Sequence, residues 1–181
     1  LLKTANTPNI DQLASDGILF LNSTTVLPSA TTAAHVALVT GAPPEINGVV
    51  NTVAYNSTKY HELLPDESPD TAFVDYFDML KVKTLPELAK ENGVKVGLII
   101  SKSKLEVMAG LSHAADKIIL LPNDVIGAGD PHDASYPYSN RERCVEWITN
   151  KTLETIDEFY QYILSGDSVL LIVHYAEPDY I

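Results

Sequence analysis

Hydroxyl groups crowd one short stretch of this chain, Leu27-Pro28-Ser29-Ala30-Thr31-Thr32-Ala33-Ala34-His35, where a proline-bearing loop hands over to an Ala-rich segment closed by Gly41. A helix N-terminus offers unpaired N–H groups and the positive end of the helix dipole, so it can hold a phosphate and stabilise the charge of an attacking oxygen. Thr31 stands at that junction. The plainer alternative is that Thr31 and Thr32 only cap the helix, which needs one hydroxyl and leaves the pair and the flanking proline unexplained. A second candidate closes the chain, where the apolar run Ser168 to Val173 leads into His174-Tyr175-Ala176-Glu177-Pro178-Asp179. A carboxylate just past the carboxyl end of a buried strand is placed for a metal or a substrate, and Asp179 is the better placed of the two acids. The alternative is a solvated acidic turn, and one carboxylate alone cannot hold a metal.

Other chemistry-bearing residues carry blander expectations. His35 falls one helical turn after Thr31 and is expected as a core or hydrogen-bonded histidine, although it could face the site. His174, inside the last strand, is expected to pack rather than ligate. Asp130-Pro131-His132-Asp133 reads as a polar surface turn that could meet substrate. Trp147 is expected in packing, and the single cysteine, Cys144, has no intrachain partner and is expected buried and inert.

The elements that must position these groups are legible in the apolar periodicity and its punctuation. Thr7 and Pro8 open a short helix closed by Gly17, and Ile18 to Leu21 reads as a short strand. Thr84 and Glu87 have capping-box spacing before a helix ended by Gly93, and Val94 to Ile100 follows as a buried strand. Ser103 to Ala109 reads as a helix and Lys117 to Leu121 as a strand. Ser139 and Glu142, again at capping-box spacing, open the longest helix, with Val145, Ile148, Ile156, Phe159 and Ile163 on one face and a stop at Gly166. Ser168 to Val173 is the last strand. The apolar strands lack period-two alternation, as expected when both faces are covered. The implied fold class is α/β, a layered αβα sandwich with a largely parallel sheet. Residues 51–77 and 122–138, rich in Pro, Gly and acids, read as loops or insertions able to set specificity.

Composition narrows the function classes. The chain has 181 residues, 12 Lys+Arg against 24 Asp+Glu, and a formal net charge of -12. Such a chain is repelled by phosphate backbones and anionic lipid, so no nucleic-acid polymer is expected as partner, and an enzyme acting on phosphates would need metal ions to screen them. No stretch approaches the roughly 20 apolar residues of a membrane span. Asn22, Asn56 and Asn150 each open an N-x-[ST] triplet, a faint nudge toward secretion.

Four blocks in order resemble one family. They are Thr7-Pro8-Asn9-Ile10-Asp11-Gln12-Leu13-Ala14-Ser15-Asp16-Gly17; Pro28 to His35; Leu38-Val39-Thr40-Gly41 with Pro44-Glu45 and Asn47-Gly48; and Tyr175 to Asp179. Together they are similar to the alkaline phosphatase superfamily, closest to its type I phosphodiesterase/nucleotide pyrophosphatase branch. The resemblance implies that residues 1–181 are the N-terminal part of a single alkaline phosphatase-like catalytic domain, an incomplete fragment truncated at both ends. It implies a metal-dependent hydrolase of phosphodiester or pyrophosphate bonds in small nucleotide-like substrates, with Thr31 as nucleophile and a phosphothreonine intermediate.

In that family the nucleophile is coordinated to one of two divalent metal ions, usually zinc. Thr31 and Asp179 map onto metal ligands, and the remaining ligands fall outside this sequence, so the parent protein is expected to be active and this segment alone is not. Sulfatase relatives place a modified Cys or Ser at the position of Thr31 and an Arg four residues on; Thr31 and His35 disfavour that branch. The family's phosphoryl-binding Asn would fall at Thr52, with Asn51 one residue short of that spacing, and either could serve, with Thr32 as a second substrate contact. The family's His in its Pro-Glu-x-His-Gly stretch is Asn47 here, read as structural. The expected partner is a small phosphate ester. The alternatives are a phosphomonoesterase or phosphonate hydrolase of the same superfamily, or a non-catalytic scaffold. An extracytoplasmic location is slightly favoured by the resemblance, and oligomeric state is open.

Overall fold

The computed structural model describes residues 6–51, 53–55, 73–75, 79–121 and 138–175. Its elements run α1 (Pro8–Asp16), α2 (Thr31–Thr40), α3 (Pro44–Asn47), β1 (Val53–Tyr55), β2 (Phe73–Asp75), α4 (Leu85–Glu91), β3 (Lys95–Ile100), a 3-10 helix (Ser103–Ala109), β4 (Lys117–Leu120), α5 (Tyr138–Leu164) and β5 (Val169–His174). The fold is α/β, with a three-stranded parallel sheet in the order β4-β3-β5.

β3 is the middle strand, and its sequence shows why. Val96 to Ile100 are all buried, without the alternation of a half-solvated strand. Alternate residues serve opposite faces. Val96, Leu98 and Ile100 form one core with Val39 of α2 and with Leu105, Met108 and Ala109. On the other face a side chain at Gly97 would stand 2.7 Å from Phe159 Cζ and 2.8 Å from Leu171 Cδ1. Only glycine leaves room for α5 to lie that close. Helices therefore cover both faces of the sheet, giving the expected three layers. A second cluster, Val36, Val49, Met79, Leu80 and Val107, fixes the other side of α2.

β5 departs from expectation. Its residues are half-buried throughout, because among the described residues it pairs with β3 on one side only. The strand expected at Ile18 to Leu21 is not formed: the segment has no sheet partner among the described residues, and Phe20 and Leu21 are 75% and 82% exposed. α1 buries none of its residues. Within the stretch read as loop, β1 and β2 pair antiparallel, Ala54 opposite Val74. The stretch 122–137 lies outside the described residues.

α5 runs through Ser139 instead of being capped by it. Its buried face is Cys144, Ile148, Thr152, Thr155 and Phe159, while Val145, Ile156 and Ile163 are exposed. The two threonines escape a purely apolar count because each satisfies its hydroxyl on the preceding turn, Thr152 on the Ile148 carbonyl at 2.8 Å and Thr155 on that of Lys151 at 2.8 Å. At 27 residues the helix is about 40 Å long, against about 20 Å for a six-residue strand.

Candidate active site

α2 is built so that one end reaches the carboxyl edge of the sheet. Thr32, Ala33, Val36 and Val39 face the core, which turns Thr31, Ala34, His35 and Leu38 outward at helical spacing. The first helical residue is Thr31 and the cap position is Ala30, which makes no side-chain cap bond. The two threonines are thus not caps. Thr31 is half-buried, and its hydroxyl has no hydrogen-bond partner among the described residues.

The carbonyl of Thr31 does have one. His35 Nδ1 lies 2.7 Å from it, and since a carbonyl can only accept, Nδ1 carries the proton. The His35 ring meets the His174 ring edge to face, centroids 4.9 Å apart and planes at 77°. His174 is the last residue of β5, in register with Ile100 at the end of β3. Ser101, the residue after β3, donates its N–H and its hydroxyl to the His174 carbonyl at 3.2 and 3.1 Å, with Nδ1 of that histidine 3.5 Å from the same hydroxyl. The start of α2 and the carboxyl ends of β3 and β5 therefore converge, the end of a parallel sheet where ligands are usually met. His35 is hydrogen-bonded, as expected. His174, read only as packing, proves to join two elements; its place at the strand's carboxyl end was the available signal.

Past β5, the Tyr175 hydroxyl donates to Thr152 Oγ1 of α5 at 3.2 Å, tethering the end of that strand to the long helix. Asp179, Thr52 and the Asp130 to Asp133 turn lie outside the described residues. Asn51 is exposed after the buried Val49, and Thr32 is fully buried. Asn47 is structural, as read: it is buried, donates to the Ala42 carbonyl at 2.7 Å and accepts from the Val49 N–H at 2.8 Å. A cleft of about 390 Å³ opens on the outward face of α2, between His35, Ala34, Ala37 and Leu38 and the Thr24 to Val26 segment.

Among the described residues no three His, Cys, Asp or Glu side chains could together hold a metal ion. Thr31 by itself is a single neutral oxygen donor, so the described residues do not make up a metal site. Among them, no helix is long and apolar enough to cross a membrane.

A family model, described as Type I phosphodiesterase / nucleotide pyrophosphatase, matches residues 1–181. No curated protein and no solved structure matches the chain.

Proposed function

The chain belongs to the type I phosphodiesterase/nucleotide pyrophosphatase family, within the alkaline phosphatase superfamily, and from that premise we propose that the complete gene product hydrolyses phosphodiester or pyrophosphate bonds of small nucleotide-like substrates through Thr31. The observation that supports this most is the placement of Thr31: a hydroxyl at the first residue of a ten-residue helix, not used as its cap and without a hydrogen-bond partner among the described residues. A cap role would have put it one residue earlier and turned it onto the first-turn N–H groups.

In the first step the Thr31 oxygen forms a bond to phosphorus, the bond from phosphorus to the leaving oxygen breaks, and the leaving group takes up the hydroxyl proton. In the second, a water oxygen bonds to phosphorus, the bond to Thr31 breaks, and Thr31 regains a proton. The amino end of α2 supplies a field that favours the phosphoryl charge in both steps. Thr32 faces the core, so it would meet a substrate only through its backbone N–H at the helix start, and Asn51 or Thr52 would hold a phosphoryl oxygen. The proposed metal ligands are Thr31 and Asp179. Two divalent cations, usually zinc in this family, would when bound lower the pKa of the hydroxyl and neutralise phosphoryl charge.

Rates on bis-p-nitrophenyl phosphate and p-nitrophenyl phosphate, with and without a chelator, test the reading in the complete gene product. The diester is expected to be preferred, chelation to abolish turnover, and added zinc to restore it. Preference for the monoester would replace the reading with phosphomonoesterase, and undiminished turnover of the Thr31→Ala variant would remove Thr31 from the reaction.

A further inference from the structure

His35 makes two contacts that a histidine filling space on an Ala-rich helix would not need. Its Nδ1–H donates to the Thr31 carbonyl at 2.7 Å, an oxygen one turn back whose residue carries the candidate nucleophile. Its ring then rests against His174, whose own carbonyl is held by Ser101 at the end of β3. First turns of helices fray readily, because their N–H groups have no partner within the helix. Here the first turn is clamped from its side chain outward to the two strands that end beside it.

We infer that His35 is a positioning residue for the attacking hydroxyl: its bond to the Thr31 carbonyl fixes the backbone of the first turn, and its seat on His174 indexes that turn to the carboxyl ends of β3 and β5. The inference rests on Thr31 being the nucleophile. A histidine that acts in this way touches no substrate, so its loss should appear in the rate of the chemical step while substrate binding stays nearly intact. A shift of about 1 Å in a reacting group can cost about 100-fold in rate.

The geometry also says which replacement should compensate. An Asn amide nitrogen falls where Nδ1 is, and a Gln amide nitrogen falls nearer Nε2. The test compares His35→Asn, His35→Gln and His35→Leu with Thr31→Ala in the complete gene product, by steady-state kinetics on bis-p-nitrophenyl phosphate and by thermal midpoint. H35L and H35Q are expected to lose about 10- to 100-fold in kcat with KM within about threefold and little change in midpoint. H35N keeps the carbonyl bond without the ring, and is expected to lose less than about tenfold. Equal losses in H35N and H35Q would overturn the inference, as would wild-type kcat in H35L, and either result leaves the nucleophile reading standing if T31A is inactive. Full activity of T31A would overturn that reading and the inference with it. Should H35L fail to fold, the comparison of H35N with H35Q decides alone.

Discussion

Thr31→Ala should separate chemistry from stability more cleanly than most active-site substitutions. Its hydroxyl caps nothing, and alanine is the better helix former, so the expected change in unfolding free energy is under about 0.5 kcal/mol by urea titration. A loss near 1 kcal/mol or more would show that the hydroxyl has a structural bond after all. Gly48 is the opposite case. Its φ of +88° lies in the left-handed region, and a Cβ there would come within 2.2 Å of the Met79 carbonyl oxygen. Both penalties fall on one residue, so Gly48→Ala is expected to cost at least about 2 kcal/mol. Since Val49 and Met79 belong to the cluster that holds α2, catalysis in the complete gene product should fall in parallel with the lost stability.

At the scale of elements, α4 is set by the capping box that the Thr84 and Glu87 spacing announces. The Glu87 carboxylate accepts from the Thr84 N–H at 2.9 Å, and reaches across to accept the N–H and hydroxyl of Ser112 at 3.2 and 3.0 Å. Burial pushes its pKa up, and these bonds outweigh burial, so it lies below the ordinary value of 4.5. A carboxyl group lowered on folding stabilises the fold fully above its unfolded pKa, and that contribution is lost as pH falls through the folded value. Glu87→Gln should therefore cost about 1–3 kcal/mol at pH 7, because its NH2 would face donors, and urea midpoints of the two proteins should converge as pH falls below 4.5. A gap unchanged at pH 3 would mean that the bonds matter through shape alone. Such local signals made much of the fold legible: glycines after α2, α4 and α5, the capping box, and the unbroken apolar run of β3. What was hidden depended on distant partners. No pattern around Ile18 to Leu21 shows that its partner strand is lacking among the described residues, and hydroxyls facing inward disguised the buried stripe of α5. The meeting of His35 with His174 joins residues far apart in the chain, and only the sheet register reveals it.

For the molecule as a whole, the distribution of apolar surface is uneven. Phe20, Leu21, Leu27 and Leu38 are each at least 75% exposed, beside a net charge of -12 that would otherwise favour dispersal in water. Residues 1–181 produced alone are expected to bind the dye ANS and to self-associate by light scattering, with Phe20→Ser and Leu21→Ser together reducing both. Unaltered dye fluorescence in that double variant would place the sticky surface elsewhere. The long helix offers a different lesson. Phe159 keys into the slot above Gly97, and from there the α5 rod runs toward its start past the tether to Thr152. Residues 138–151 continue about 20 Å further, with Cys144 and Ile148 still buried along the way. A methyl group added in the slot would act as a shim, prising Phe159 and the helix that carries it off the sheet.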